Sequence, residues 1–407
     1  MAEGTRLLDA GEIMRARVAV AEFVSTTPLE PARWLSTMAG RQVFLKCEHR
    51  QRTGSFKIRG ALAKISTLPP DTRGVVTASA GNHAQGVALA ARRRGIRAVV
   101  FMPRSASAAK VRATQSYGAE VRLEGDSVEE AMAAARSLAA ADGLAYVHPF
   151  DDRCVIAGQG TLGVELVEQL RSLGLDSLGT VVVPVGGGGL IAGVAAALKA
   201  VDPGARVVGV QALGAASVVE SLRQGRPVRV EVRTVADGIA VSAPSELTLA
   251  HVAELVDEVV VVDDAEITRA MVLLLERQKA LVEPAGAVGV AAVLAGEIDA
   301  DRITVVLSGG NVDLLLLSHL IEHGLSAAGR YLRLRALLPD RPGALARLAA
   351  IFGELGVNIV EVEHHRAGAP VGVDEVEVTV TAESRGPEES AEVLAALQRA
   401  GIRVERW

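Results

Sequence analysis

The sequence predicts an α/β protein of two lobes, followed by a small βαββαβ module at its C-terminus. Up to residue 325, short apolar runs that predict strands alternate with longer helical patterns. This alternation is typical of parallel sheets covered by helices on both faces. After residue 330 the predicted strands alternate apolar and polar residues instead. Their order with two helical patterns is that of the ferredoxin-like fold.

The two lobes follow from two blocks of strands and helices. In the first block, residues 43–147, the predicted strands cover 74–79, 96–102 and 119–124, and the predicted helices cover 82–94, 106–117 and 127–141. In the second block, which runs to residue 325, the predicted strands cover 180–185, 205–211 and 301–308, and a helix covers 190–201. Ligands of such sheets bind at the carboxyl ends of the strands, so functional motifs are expected there.

The C-terminal module begins after a predicted linker at residues 326–330. Its predicted strands cover 331–339, 358–365, 375–382 and 402–407, and its predicted helices cover 343–355 and 389–399. The strands read as half-buried, because apolar and polar residues alternate along them. Residues 331–407 are therefore predicted to form a separate domain.

Charge and composition argue against several classes of function. The net charge is −5, so no nucleic-acid partner is expected, and the one dense basic run, Arg92–Arg94, is interpreted as the solvated end of a helix. Two cysteines, Cys47 and Cys154, are too few for a disulfide framework in a chain of this length. The first residues lack an apolar signal core, and no apolar stretch is long enough to cross a bilayer. We expect a cytoplasmic protein without membrane contact.

A lysine in the segment TGSFKIRGA is the first candidate for chemistry. Lys57 follows Gly54 and Ser55, where a helix is expected to begin. The positive end of a helix dipole and partial burial both disfavour an ammonium group, so Lys57 is a candidate neutral amine. A neutral amine is what Schiff-base formation requires. From the residues alone, a surface lysine remains the alternative.

Three further motifs follow predicted strands. In SAGNHAQG, from Ser79, backbone N–H groups can hold a carboxylate and Asn82 can hydrogen-bond a phenolic oxygen; a capped turn is the alternative. In PVGGGGLIAG, the four glycines at residues 186–189 let the backbone approach phosphate oxygens at the start of a helix. Their spacing matches neither the dinucleotide-binding motif G-x-G-x-x-G nor a P-loop. In SGGN, Ser308 can contact a ring nitrogen, and an ordinary turn is the alternative.

These four motifs, in this order, resemble threonine ammonia-lyases, also called threonine dehydratases. These are pyridoxal 5′-phosphate (PLP) enzymes of the two-lobed tryptophan-synthase-β-like fold, fold type II. The resemblance covers nearly all of residues 15–325, and other segments that carry it are TPL, FLKCE, VIAGQGTLG, VADGIAV and LVEPAGAVG. The later segment PDRPGALARLAAIFGELGVNI resembles ACT domains, which sense amino acids. Together they imply a catalytic domain at 1–325 and an ACT regulatory domain at 331–407.

The resemblance to threonine ammonia-lyases implies a role for each motif. Lys57 carries the cofactor as an imine and acts as the general base, and Gly238 leaves room beside the ring. The other implied cofactor contacts are Asn82, Gly186, Gly187, Gly188, Gly189, Leu190 and Ser308. The implied contacts to the substrate carboxylate are Ser79, Gly81, Asn82 and His83. Glu283 is expected to act behind the cofactor as a partner of the groups that touch it.

The implied reaction converts L-threonine to 2-oxobutanoate and ammonia, with serine giving pyruvate as a side activity. Serine racemase shares the motifs but needs an acid on the opposite ring face, where Ala80 offers no proton. Cysteine and threonine synthases match the flanking segments less well, and a non-enzymatic amino-acid sensor would need neither Lys57 nor four glycines. No metal site is expected, because Gln211, Ala215 and Ala216 stand where related enzymes have a carboxylate-lined cation site.

The ACT resemblance implies that residues 331–407 bind a small amino acid, isoleucine or valine. Asp340, Pro342 and Gly343 precede a helix, so their backbone faces an open loop suited to a carboxylate. Asn358 holds the position of a polar ligand contact. Edge strands of a small sheet offer pairing to a second copy, so a homo-oligomer, a dimer or a tetramer, is expected. A dimerisation domain without a ligand is the alternative, and a role in isoleucine biosynthesis or in threonine breakdown stays open.

Overall fold

A computed structural model of the chain describes residues 6–175, 177–327, 329–365, 372 and 374–406. The chain separates into two compact units, Met1–Asp313 and Leu314–Trp407. In the described ranges, none of the helices combines the length and the apolar character needed to cross a bilayer.

The first unit contains ten strands and twelve α-helices among its described residues. The strands are β1 (Leu29–Pro31), β2 (Gln42–Lys46), β3 (Gly74–Ala78), β4 (Arg97–Met102), β5 (Glu120–Leu123), β6 (Ala145–Tyr146), β7 (Thr180–Pro184), β8 (Arg206–Ala212), β9 (Glu258–Val262) and β10 (Arg302–Val306). The helices are α1 (Ala10–Val20), α2 (Arg33–Ala39), α3 (Lys57–Ser66), α4 (Asn82–Arg94), α5 (Ala108–Ser116), α6 (Val128–Asp142), α7 (Arg153–Ser172), α8 (Gly189–Val201), α9 (Ser217–Gln224), α10 (Glu246–Leu255), α11 (Asp264–Leu273) and α12 (Pro284–Ala295).

The strands of the first unit form two sheets, one for each lobe. The larger sheet has the order β1-β2-β10-β7-β8-β9, and every pairing is parallel except that of β1 with β2. The smaller sheet has the order β5-β4-β3-β6 and is parallel throughout. The predicted two-lobed α/β architecture is thus confirmed. One boundary differs: β2 pairs with β10 in the larger sheet, so the smaller sheet begins at Gly74 and not near residue 43.

A close helix contact fixes the position of α3, which begins at Lys57. A Cβ atom added at Gly60 would lie 2.8 Å from the carbonyl oxygen of Val155, and one added at Gly158 would lie 2.6 Å from that of Arg59. Glycine at both positions therefore lets the backbones of α3 and α7 approach each other. Asp152 caps the start of α7, and its carboxylate accepts hydrogen bonds from the amides of Cys154 and Val155.

The second unit contains α13 (Leu314–Ala327), β11 (Tyr331–Pro339), α14 (Ala344–Glu354), β12 (Ile359–His365), β13 (Glu375–Glu383), α15 (Pro387–Arg399) and β14 (Arg403–Arg406). After α13 this is the predicted βαββαβ order, and the antiparallel sheet has the order β12-β13-β11-β14. The predicted linker at 326–330 begins within α13, which sequence reasoning did not predict. Ala328 in that linker and Trp407 in the predicted last strand lie outside the described residues.

Candidate active site

All the residues predicted to contact cofactor or substrate line one cavity of about 1110 Å³ in the first unit. The cavity lies between the lobes, where β3, β7 and β10 end and α3 begins. The predicted residues that line it are Lys57, Ser79, Gly81, Asn82, His83, Gly186, Gly187, Gly188, Gly189, Leu190, Gly238 and Ser308. Four motifs that are distant in the sequence therefore meet at the carboxyl ends of parallel strands, as the fold class predicts.

Lys57 is the first residue of α3, and its amine points into this cavity. The Nζ atom donates a hydrogen bond to the carbonyl oxygen of Pro149 at 3.0 Å. Burial lowers the pKa of Lys57 to about 8, and the nearby Glu283 opposes that shift. A larger share of the amine is therefore neutral at physiological pH than for an exposed lysine, which favours nucleophilic chemistry.

The four glycines form a tight turn at the start of α8. Gly188 is the N-cap residue of the helix, with a φ of 87°, a conformation that favours glycine. A Cβ atom added at Gly187 would lie 2.4 Å from the ring of Phe150. The first amides of a helix lack carbonyl partners within the helix, and here they line the cavity. This backbone is suited to a phosphate group, because the helix dipole adds positive potential.

Asn82 is oriented by hydrogen bonds on both sides of its amide. Its Nδ2 donates to Glu283 Oε1 at 2.7 Å, and its Oδ1 accepts from Asn311 Nδ2 at 2.8 Å. The Nδ2 of Asn311 also donates to the carbonyl oxygen of Thr53 at 2.5 Å. One N–H of Asn82 thus remains to be donated into the cavity. Glu283 is therefore a direct hydrogen-bond partner of Asn82, one of the predicted cofactor contacts.

Glu283 carries a strongly shifted pKa. Burial raises the pKa of its carboxyl to about 8 and the charge of Asp237 adds to the effect, while the hydrogen bond from Asn82 opposes it. At neutral pH the side chain is therefore mostly a protonated acid in the folded chain, whereas the carboxyl of an unfolded chain ionises near 4.5.

Replacing Glu283 by glutamine should change the pH dependence of stability. Between pH 4.5 and 8 the folded wild type holds a proton that the unfolded chain releases, so its stability falls as the pH rises through this window. The glutamine variant keeps a neutral group and loses this dependence. The difference in free energy of unfolding, variant minus wild type, should therefore grow from pH 5 to pH 8. The growth is about 1.4 kcal/mol for each pH unit, or up to several kcal/mol in total. Urea unfolding of the cofactor-free protein measures it, and a constant difference across that range would contradict the assignment.

His83, which lines the cavity, is held as a neutral side chain. Burial and the charge of Lys57 lower the pKa of His83 to about 3, and its Nε2 lies 3.1 Å from the carbonyl oxygen of Val147. Nε2 must be the protonated nitrogen, because a carbonyl only accepts, so Nδ1 carries a lone pair. A lone pair repels a carboxylate. Any contact of His83 to a substrate carboxylate would therefore come from its backbone amide.

A network of buried charges lies behind the lysine helix. Arg59, two residues after Lys57, donates two hydrogen bonds to Glu48, each 2.8 Å long, and one to Glu165 at 2.9 Å. Lys46 completes the network with a hydrogen bond of 2.5 Å to Glu165. All four side chains are nearly or fully buried, and their formal charges sum to zero. The network joins β2, the turn after it, α3 and α7.

Replacing Arg59 by methionine should destabilise the protein by about 3–5 kcal/mol, because two carboxylates would lose their buried partner. Urea unfolding checks this value. Arg97→Met is the matched control, since Arg97 pairs with Glu120 on the surface and its removal should leave unfolding nearly unchanged. An Arg59→Met variant as stable as the control would show that the network is not a determinant of stability.

Gln211, at the position where related enzymes have a cation site, and the predicted effector residues do not line the cavity. The side chain of Gln211 is buried and bonded to the backbone of Ala215, Val218 and Val219. Across the described ranges, no three histidine, cysteine, aspartate or glutamate side chains form a metal-binding group. Asp340, Pro342 and Gly343 form an exposed loop before α14, and Asn358 is exposed at the start of β12.

The loop of Asp340, Pro342 and Gly343 lies at one end of the antiparallel sheet of the second unit, and Asn358 lies at the other end. Pro339 is opposite Glu375 on β13, whereas Ile359 is opposite Ala382 on the same strand. Those positions are roughly 24 Å apart at about 3.4 Å per residue. One chain therefore does not bring the predicted effector residues together. The side chain of Asn358 instead donates to Glu383 at 3.3 Å.

Sequence reasoning missed two residues of the cavity that the geometry singles out. Phe150 packs against the glycine turn, and Asn311 orients Asn82. Asn311 was visible as the last residue of the SGGN motif, and Phe150 as the aromatic residue that follows the segment VHP after β6. Neither contact follows a local pattern, because each joins segments far apart in the chain.

Comparison with known proteins places the chain in a family. Residues 20–309 match the family model described as "Pyridoxal-phosphate dependent enzyme", and residues 332–401 match the model of the ACT domain. The chain belongs to the family of pyridoxal-phosphate-dependent enzymes. The cavity fits this cofactor, because a buried lysine of lowered pKa faces the same space as a glycine turn that leaves no room for side chains.

Curated relatives extend over nearly the whole chain. It is 44% identical over 406 residues to an L-threonine ammonia-lyase of Geobacter sulfurreducens, covering 98% of each chain. It is 45% identical over 392 residues to an L-threonine ammonia-lyase of Thermotoga maritima, covering 95% of this chain and 96% of the relative. The predicted resemblance to threonine ammonia-lyases that carry an ACT domain is confirmed by these matches.

Solved structures of this PLP-dependent family share the fold of the first unit. The processed form of threonine deaminase isoform 2 from Solanum lycopersicum is 39% identical, with a TM-score of 0.72, over 78% of this chain and 94% of that one. Maize serine racemase is 37% identical, with a TM-score of 0.73, over 79% of this chain and 99% of that one. The fold of the first unit is therefore shared by a threonine deaminase and a serine racemase.

Proposed function

We propose that this PLP-dependent enzyme deaminates L-threonine to 2-oxobutanoate and ammonia, and L-serine to pyruvate as a side activity. The observation that carries the proposal is the buried amine of Lys57, which shares one cavity with the glycine turn of α8. The names of the relatives that match nearly the full chain support threonine as the substrate.

The residues of the cavity divide the work of the reaction. PLP, when bound, supplies a ring that draws electrons from the substrate Cα. The amides of residues 186–190 would hold the phosphate, and Asn82 would donate its free N–H to the ring hydroxyl. Ser308 would offer the ring nitrogen a neutral hydroxyl. The backbone between Ser79 and His83 holds the substrate carboxylate, and the neutral amine of Lys57 removes the Cα proton as a general base.

Elimination is favoured over racemisation by the residue at position 80. Racemisation needs a proton donor on the face of the ring opposite the lysine, and Ala80, which lines the cavity, has no proton to give. Purified protein with PLP should release 2-oxobutanoate from L-threonine, measured by a coupled reduction of the keto acid. Chiral analysis of serine after partial turnover should find little D-serine. Absence of keto acid, or accumulation of D-serine, would overturn the proposal.

We further propose that the second unit regulates the first by binding isoleucine or valine. Support comes from the ACT match and from the open loop of Asp340, Pro342 and Gly343 at the start of α14. Because Asn358 lies at the far end of the sheet, a site that uses both would combine two copies, as expected of a dimer or tetramer. Dimerisation without a ligand is the competing function.

Calorimetry of the full chain tests the regulatory role. A typical coupling of about 1–3 kcal/mol would shift the threonine concentration for half-maximal rate by about five- to 150-fold. Gly343→Val should weaken effector binding, because a β-branched residue at a φ of 88° distorts the loop. Gly353→Ala is the control, since its new Cβ meets no neighbour. Absence of heat with both amino acids, together with unchanged threonine curves, would leave only a structural role.

A further inference from the structure

Four charged side chains and one serine hydroxyl connect the lobes at the cavity. Lys110 on α5 of the smaller lobe forms an ion pair with Asp237 of the larger lobe. Glu129 on α6 forms an ion pair of 3.2 Å with Arg229, and its carboxylate also accepts from Ser242 Oγ at 3.1 Å. All five residues line the cavity, and we call this set of five the clasp.

The larger lobe contributes its part of the clasp from one long connection. Residues 226–245 join α9 to α10 and contain no helix or strand apart from a single turn at Asp237–Ile239. Connections of this length within a compact domain are commonly functional loops or lids. The connection also includes Gly238, which lies next to Ala285 and Glu283 in the cavity. A Cβ atom added at Gly238 would lie 2.9 Å from Ala285 and 3.6 Å from a carboxylate oxygen of Glu283.

The exposure of the clasp indicates what it can do. The side chains of Asp237, Glu129 and Arg229 are 51%, 53% and 67% exposed. Exposed ion pairs add little to the stability of a fold. A weak interaction that salt screens is nevertheless enough to shift the equilibrium between an open and a closed cleft, provided that the two differ little in free energy. A connection held this way can open at each turnover.

We propose that the clasp is a gate: it holds residues 226–245 against α5 and α6, and so controls the entry of amino acids to the cavity and the release of products. Closing brings Gly238 and Asp237 beside Glu283, which excludes water from the place where Lys57 works. Opening separates oppositely charged groups across the cleft, so the rate of access increases with ionic strength. The gate rests on the proposed function only for the identity of what passes through it.

Access to the cavity is measured with hydroxylamine, a small neutral reagent that reacts with the bound cofactor and removes its visible absorbance. Lys110→Met and Arg229→Glu should each raise the second-order rate by about two- to fivefold at low salt. Each should also weaken the increase of that rate with salt, because one attractive ion pair of the clasp remains in each variant. Exchange of the outer pair, E129R/R229E, should restore the slow, salt-dependent rate. Arg206→Met is the matched control, because Arg206 pairs with Glu258 at the opposite end of the larger sheet and does not line the cavity.

A second readout does not depend on the cofactor. Ser308→Cys places a thiol in the cavity, and Cys154→Ser removes the partly exposed native thiol. Cys47 stays inert, because burial raises the pKa of its thiol to about 12. In this background a neutral disulfide reagent should react faster when Lys110 or Arg229 is replaced, with and without PLP.

The outcomes separate the gate from the proposed function. Unchanged reagent rates in both clasp variants, or faster rates that the exchanged pair does not reverse, would overturn the gate even if threonine is deaminated. Faster access that the exchanged pair reverses would establish the gate even if threonine proves not to be the substrate. Both replaced positions are exposed or partly exposed, so the variants should fold, and their urea unfolding should match that of Arg206→Met.

Discussion

Lys57→Ala should lower the rate of threonine deamination at least about a thousandfold, since both the covalent attachment and the general base are lost with one amine. The same change should abolish the visible absorbance that the cofactor acquires on binding to the lysine. Steady-state assays and an absorption spectrum of the purified protein measure the two effects. The loss of activity and the loss of absorbance should occur together, because both depend on the same buried amine at the start of α3.

Lys64→Ala provides the matched control for this variant. Lys64 lies on the same helix but pairs with Asp152 and does not line the cavity. Its removal tests whether a lysine lost from α3 harms the fold. The control should keep its spectrum and most of its activity. Deamination retained in Lys57→Ala would sink the catalytic assignment, and equal losses in both variants would point to damage of the helix instead.

The sequence was sufficient to predict individual elements where local signals are strong. The predicted helix over 82–94 agrees with α4, because Gly95 ends it in the left-handed conformation after three arginines. The predicted strand over 331–339 agrees with β11, whose residues alternate between buried and more exposed. Helix α7 was not predicted: its VIAGQGTLG segment was noted only for the family resemblance, and the glycines that serve the contact with α3 give a weak helical signal.

Sheet membership could not be predicted from the same patterns. Strand β2 is buried along most of its length, as are β3 of the smaller sheet and β7 of the larger one, so its apolar run does not reveal its partner. Its pairing with β10 is a contact between residues more than 250 positions apart, from Val43 to Ile303. The four motifs of the cavity were nonetheless predicted as a set, because each lies where a parallel strand ends or a helix begins.

The side-chain contacts between motifs could not be predicted from the sequence. Asn82 was predicted as a cofactor contact, but its orientation by Glu283 and Asn311 needs three segments brought together. The ion pair of Lys110 with Asp237 likewise joins two lobes. Side chains of this kind have no periodicity and no fixed spacing. Tertiary structure alone distinguishes them from the many charged residues of the surface.

Gly187→Ala should reduce deamination on the order of a hundredfold, the usual cost of displacing a reacting group by about 1 Å. The new Cβ atom would lie 2.4–2.5 Å from three carbon atoms of the Phe150 ring, so the glycine turn or the ring must move. Because Phe150 follows the Pro149 carbonyl that holds Lys57, movement of the ring also displaces the amine. PLP titration should show a matching loss of cofactor affinity.

The double variant F150A/G187A tests whether this collision is the cause. Removing the ring makes room for the new methyl group, so the glycine turn can return to its place and PLP affinity should recover in part relative to Gly187→Ala. Phe150→Ala alone completes the cycle and isolates the coupling between the two residues. Gly353→Ala, where the added Cβ meets no neighbour, should leave PLP affinity unchanged. If the double variant binds PLP no better than Gly187→Ala, the defect lies in the backbone conformation of the turn, and Phe150 is not what requires glycine at position 187.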